Sequence, residues 1–469
     1  MKHLSLLSLF LFCIHPLFAQ QYDYQNILLN AHWDDTTHTD MGWAGNRYTG
    51  CWAWHNPIDG KEYAIVGAAH GTYFVEVTNP SNPQLRDFVP GLRTGCTWRE
   101  YKTYQNFVYM VSDDSSPNGL QIADLSYLPD SVHIVHSGNS IFTRSHTIWI
   151  DADKLYCGSV KGGIFGTTPE SMAVFSLSNP AAPTLLAKLS DDYPQIGHVH
   201  DMFVRNDTVY ASCGYNQGLQ IYKFNSSNNS LSLIQNLTSY PDQGYNHSST
   251  LTDNGDYLVF MDEVPDALAI KVLDVSNMNN LTVVSTFKNT PGATPHNPFM
   301  MGNDLVYVAY YQDGVVAIDI SNPAQPVRIG YFDTHWQSNN PNVMSGYVGC
   351  WGLYPWLPSG VIVAVDMQNG LYLLDPQLPL GLIDLNSNES ISIFPNPAST
   401  LVNINISSLK EVESIHLFSI DGKLIYSNYP KTQSGNFIQL PINELSKGMY
   451  LIRVKSKSGM YQQKLIIQN

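Results

Sequence analysis

Seven residues of this chain recur at one spacing: Trp52, Trp98, His146, His200, His247, His296 and Trp351 stand 46, 48, 54, 47, 49 and 55 residues apart. Four consecutive copies carry His, out of 15 His in the whole chain, so the pattern is a property of the position and not of composition. Imidazole nitrogens converging on one point can hold a divalent transition metal, with Asp201 or Glu100 completing the set, and an open coordination position would permit hydrolysis. Two other roles suit the same residues. Each His can hydrogen-bond a neighbouring repeat's backbone and fill space, with Trp as the larger filler, or the ring can grip a ligand without metal. A second mixed run, His32, Asp34, Asp35, His38 and Asp40, can bind a cation or form a solvated loop. The chain has no Gly-x-Ser-x-Gly elbow, Cys-x-x-Cys pair, phosphate loop or His-Glu-x-x-His helix, so any catalytic set must be assembled across repeats. This favours a binding module over an enzyme.

These residues must be positioned by repeated elements. One phrase recurs: a turn, an alternating apolar strand ending in Asp or a polar substitute, then Ser or Thr with Asn-Pro. It occurs at Gly71–Pro80, Gly119–Ser126, Met172–Pro180, Gly218–Phe224, Ile270–Asn277, Gly314–Pro323 and Gly370–Pro376. The strand-ending residues 76, 124, 176, 223, 274, 319 and 375 lie 48, 52, 47, 51, 45 and 56 apart, a propeller period. Period-two runs such as Asp304–Tyr310 and Val315–Ile320, separated by Asp313-Gly314, predict antiparallel strands. An open solenoid would need capped ends. Instead, the stretch Asn26–Trp33 followed by Tyr48-Thr-Gly-Cys-Trp52 parallels Val327–Phe332 followed by Tyr347-Val-Gly-Cys-Trp351. The N-terminus thus supplies the outer strand that the seventh copy lacks, and residues 26–33 are expected to close the ring. The expected fold is all-β: a seven-bladed β-propeller over residues 20–383, a linker at 384–390 and a small β-sandwich at 391–469.

The chain carries 24 Lys plus Arg against 39 Asp plus Glu, a net charge of −15. Residues 388–469 hold 8 basic and 5 acidic residues, leaving 16 against 34 in residues 1–387. So acidic a body repels phosphate backbones, which argues against nucleic acid or anionic lipid as partner. Met1-Lys2-His3, the apolar run Leu4–Ile14 and Phe18-Ala19-Gln20 read as a signal peptide over residues 1–19. No later stretch has the ~18 apolar residues of a spanning helix. Cys51, Cys96, Cys157, Cys213 and Cys350 remain after cleavage, and Cys51 with Cys350 offer a conceivable latch disulfide in an exported protein.

Two resemblances follow from particular segments. Lys61–Gly67, Phe74–Pro80, Trp98-Arg-Glu100, Ser145-His146, His200-Asp201, His296-Asn297 and Tyr354–Gly360 resemble the LVIVD-repeat proteins of the choice-of-anchor B family, with departures at Glu76, Cys51 and Cys350. This resemblance implies a secreted propeller of unassigned chemistry with a variable C-terminal anchor. Ile393–Thr400, Ile415–Lys423, Leu445–Val454 and Lys464–Ile467 resemble the type A sorting domain of type IX secretion. That resemblance implies passage across an outer membrane, contact with the type IX machinery, removal by a sorting peptidase and residence outside the cell or on its surface. The reading that results is a non-catalytic binding or adhesion propeller for a surface glycan, protein or small molecule. A metal-dependent hydrolase or lyase using the histidines is the alternative.

Overall fold

The computed structural model describes residues 22–378, apart from 115–116 and 336–345, and residues 391–468, apart from 408, 410–411, 420–423, 429–436, 444 and 457–458. The signal segment 1–19, the linker 384–390 and the turns at Asp421-Gly422 and Ser458 lie outside the described residues. Two compact units divide at Leu378.

In the first unit, seven antiparallel sheets follow one another along the chain. We number them blades 1–7, beginning with the sheet whose innermost strand is Tyr48–His55. The innermost strands of blades 2–7 are Glu100–Tyr104, Thr147–Asp151, Asp201–Arg205, Asn246–Leu251, Asn297–Met301 and Cys350–Tyr354. Each packs against the next, and Cys350–Tyr354 returns to Tyr48–His55, which makes the unit a closed propeller. Because neighbouring blades cover both faces of the second strand in each sheet, these strands are continuously apolar; Glu62–Ala68 is buried throughout. The outer strands, such as Gln84–Pro90, are largely exposed.

The recurring Asp-x-Ser-Asn-Pro phrase makes two successive side-chain turns between the third and fourth strands. The carboxylates of Asp124, Asp274 and Asp319 accept the backbone N–H two residues on, at 2.8–2.9 Å. Asn79, Asn179, Asn277 and Asn322 repeat the bond one step later. Glu76 is too long for this turn and instead pairs with Arg86 at 2.8 Å. A bulge interrupts the pairing of third and fourth strands in all seven blades, adding the twist that carries each sheet from channel to rim.

The ring is joined by a double latch. Ile27–Trp33 pairs antiparallel with Gly370–Pro376 of blade 7, while Tyr24–Gln25 pairs with Tyr331–Phe332 of blade 6. Asn26 turns between them with φ 56°, a left-handed conformation that Asn tolerates better than most residues. Its amide donates to the Ile329 carbonyl at 2.8 Å, and its own carbonyl accepts from Gln377 N–H at 2.8 Å.

The Cys51–Cys350 latch disulfide is absent: all five thiols are free and buried. The reason is register. Cys51 pairs with Val66, whereas in blade 7 it is Gly352 that pairs with the matching Val365, so Cys51 faces Gly352 and not Cys350 across the blade boundary.

The second unit contains a three-stranded sheet, Ser392–Phe394, Leu401–Asn405 and Phe437–Pro441. A four-stranded sheet is formed by Val412–Ser419, Leu424–Asn428, Gly448–Ser456 and Gly459–Ile467. Val402, Ile404, Ile415, Leu417, Ile452 and Leu465 form its core, the alternating side of each strand turned inward.

Candidate functional site

Each repeated His sits at the entry to an innermost strand, tied by its own backbone N–H. His146 donates to Gly158 O at 3.0 Å, His200 to Ser212 O at 2.8 Å and His296 to Ala309 O at 2.9 Å. In blades 5 and 7 a bulge at the same level carries His247 and Trp351. Hydroxyls beside the ring positions fasten one blade to the next: Thr147 donates to His200 O at 2.8 Å and Ser248 to His296 O at 2.6 Å.

The side chains form an arc around one end of the channel. Ring centroids are 4.3 Å apart for His146–His200 and His200–His247, 4.5 Å for His247–His296, 4.8 Å for His296–Trp351 and 6.0 Å for Trp351–Trp98. They line a cavity of about 300 Å³ together with Asp113, His198, Tyr215, Tyr245, Glu263 and Tyr347.

Two of the expected residues are elsewhere. Trp52 shares the Gly-Cys-Trp phrase with Trp351 but sits two residues farther along its strand relative to the second strand, because Cys51 pairs with Val66 whereas Gly352 pairs with the matching Val365, and two residues carry a side chain about 6.6 Å along the channel. Gly50 takes the ring level in blade 1, against the Trp351 ring. Trp52 lies deeper, donating to Thr103 Oγ1 at 3.1 Å beneath the Lys102 ammonium, 4.2 Å from its ring. Asp201 also points into the channel interior. It shares a cavity of about 30 Å³ with Glu100, Lys102 and Trp149, where burial, then Glu100, push its carboxyl up to about 7. Neither Asp201 nor Glu100 reaches the histidine arc as a ligand.

The run near the N-terminus is dispersed. Asp34 pairs with Arg47 at 2.7 Å, Asp35 accepts the Tyr73 hydroxyl at 2.7 Å, and His32 contacts Asn369 O at 2.6 Å. His38 and Asp40 instead meet His70, their ligand atoms within 4.8 Å of one another.

Hydrogen bonding assigns the protons in the arc. His200 Nδ1 must donate to the His247 carbonyl at 3.1 Å, which leaves its Nε2 as acceptor in a neutral ring. His146 Nε2, 2.7 Å away, must therefore donate. Since His146 Nδ1 donates to Asp113 Oδ2 at 2.8 Å, both its nitrogens carry hydrogen and it is an imidazolium. Burial pushes the His146 imidazolium down, but Asp113, helped by Glu100 and Asp201, raises it overall to about 9. Burial dominates elsewhere and holds His200, His247 and His296 below the ordinary value.

This arrangement predicts how stability depends on pH. His146 keeps its proton to about 9 when folded, against an ordinary 6.5, so its contribution is fully present below pH 6.5 and is lost as pH rises toward 9. His200, His247 and His296 act oppositely, costing stability as pH falls through 6.5 because the unfolded chain takes up protons that the folded chain refuses. The summed contribution of these four histidines should be greatest near pH 6.5. Asp113→Asn should flatten the decline between pH 6.5 and 9 in urea midpoints; an unaltered decline would remove the pair as its source.

Sequence reasoning missed Asp113 and Glu263, which follow the second strands of blades 2 and 5. The available signal was the acidic pairs Asp113-Asp114 and Asp262-Glu263 at the end of an apolar run, the first after Ser112.

Residues 392–468 match the secretion system C-terminal sorting domain, and residues 302–334 match the LVIVD repeat. The chain ends in a type IX sorting domain. This domain implies interaction with the type IX machinery and export to the cell surface or beyond. The 302–334 match covers most of blade 6. No curated protein matches the chain. Among solved structures, it is similar to PorZ, described as an essential bacterial surface component of the type IX secretion system of Porphyromonas gingivalis. That match has 11% identity and a TM-score of 0.46, covering 88% of this chain and 58% of PorZ. It is also similar to the WD40 β-propeller domain of Doa1, with 9% identity and a TM-score of 0.47, covering 76% of this chain and 97% of that one. No helix among the described residues is long and apolar enough to cross a membrane.

Proposed function

We propose that the exported propeller is a surface recognition module that seats a small polar ligand in the cavity at the channel end. One observation carries this reading: a cavity of about 300 Å³ lined by residues from six of the seven blades, a volume at the lower end of the range for small-molecule sites. Its walls offer flat faces at Trp98, Trp351 and Tyr347, and polar groups at His146, His198 and Tyr245. Such a mixture suits a ligand with one apolar face and several hydroxyl or carboxyl groups, as a sugar has. The sorting domain supports a site of action outside the cell.

A thermal-shift and tryptophan-fluorescence screen of oligosaccharides and small carboxylates against the mature chain tests this. The expected result is a ligand that raises the melting temperature and quenches fluorescence, with Trp351→Ala weakening it at least tenfold. If ligands bind equally to wild type and Trp351→Ala, or none binds, the cavity is not the recognition site.

A further inference from the structure

At one side of the cavity two imidazole nitrogens face one carboxylate. His296 Nδ1 donates to Trp351 O at 2.6 Å, so in the neutral ring the lone pair lies on Nε2. That atom is 4.0 Å from Glu263 Oε1, and His247 Nε2 is 3.7 Å from Glu263 Oε2. Both separations exceed a hydrogen bond. They match instead the spacing of two ligands on one ion, because atoms each about 2.1 Å from a common centre lie roughly 3.3–4.2 Å apart at angles from tetrahedral to linear. One ligand atom from each of these three buried residues falls within 4.8 Å of the others.

Charge points the same way. Glu263 is 8% exposed, and among the described residues its carboxylate accepts one hydrogen bond, from the Tyr311 hydroxyl at 2.7 Å. The His146 imidazolium is committed to Asp113. A buried carboxylate facing two imidazole nitrogens is a donor set that a cation would stabilise. The surroundings resemble the outer support of metal sites, with one imidazole oriented by a backbone carbonyl and the carboxylate by a phenol.

We propose that His247, Glu263 and His296 bind one divalent first-row transition ion, of the zinc or iron(II) class, with its remaining positions open to the cavity. This deepens the recognition reading above: the ion would grip a ligand oxygen beside the aromatic wall. Two imidazoles and one carboxylate suit either metal.

The test uses the mature chain, stripped with chelator and then offered Zn²⁺, Co²⁺ or anaerobic Fe²⁺ alone. Bound metal is measured by elemental analysis and the site by Co²⁺ absorption. One ion per chain is expected. Tyr311→Phe should weaken binding by about 10–100-fold, and Glu263→Gln by more, with unchanged circular dichroism reporting an intact fold. His38→Gln, which opens the separate cluster of His38, Asp40 and His70, should leave the ion bound. Loss of metal in His38→Gln, retention in Glu263→Gln, or no stoichiometric uptake of any of the three ions would each overturn the proposal. The ligand screen repeated on stripped protein separates the two readings: ligand binding without metal uptake leaves the recognition cavity standing, and metal uptake without ligand binding leaves the metal site standing.

Discussion

Removal of residues 22–33 should lower the melting temperature of the propeller by about 5 °C or more and broaden its unfolding transition. The segment supplies the whole outer strand of blade 7 and two residues to blade 6. It buries Ile27 completely, with Leu29 and Tyr22 packed against the same core and Ala31 and Trp33 against the next cluster. At roughly 1.5–3 kcal/mol for each fully buried large side chain, and less for the partly buried ones, the loss is on the order of 5 kcal/mol. A domain of this size, with an unfolding entropy of about 2.1 cal/mol/K per residue, shifts by about 1.3 °C per kcal/mol. Deletion also exposes the unpaired edge of Gly370–Pro376, so aggregation should rise with unfolding. Calorimetry of the deleted and intact chains decides the matter: an unchanged melting temperature would mean that the ring does not depend on its latch.

The second large effect is expected from Lys271→Met. Lys271 and Asp262 form an ion pair with both side chains 0% exposed, inside blade 5. Asp262 also accepts the Tyr240 hydroxyl at 2.8 Å and Gly244 N–H at 3.2 Å. Burial lowers the Lys271 ammonium from its usual value, and Asp262 opposes that shift. Taking away the lysine strands a buried carboxylate with neutral donors alone, a change that costs about 3–5 kcal/mol. Asp262 directly precedes Glu263, so the damage should reach the cavity as well. The double variant Lys271→Met/Asp262→Leu should be less destabilised than Lys271→Met, because no uncompensated charge remains. Urea denaturation of the three proteins checks this; a single variant within about 1 kcal/mol of wild type would show that the pair is not what holds this part of blade 5.

The sign of the pH dependence belongs to the same logic. Within one arc of four histidines, His146 alone is hydrogen-bonded to a carboxylate, Asp113, while backbone carbonyls bond His200 and His296 and Glu263 stands 3.7 Å from His247. Identical repeat positions acquire different chemistry from residues that are not part of the repeat.

How much could be read from the chain alone follows from where each interaction lies along it. Strand alternation, the Asp-x-Ser-Asn-Pro turns and the paired phrases at Tyr48–Trp52 and Tyr347–Trp351 are local, and local pattern dictates strands, turns and the recurrence of His at blade entries. The sorting domain is equally legible, because its segments stand in order within one contiguous stretch. Tertiary structure alone decided the rest. A pairing register offset by two residues moved Trp52 from the cavity into the channel interior and separated Cys51 from Cys350, though both blades share the same three letters. Contact between neighbouring blades brought Asp113 to His146, 33 residues away, and Tyr311 to Glu263, 48 away. Periodicity encodes which face a side chain takes within its own sheet. Which charges meet at the axis depends on register and on ring closure, and these are set by packing among all seven blades at once.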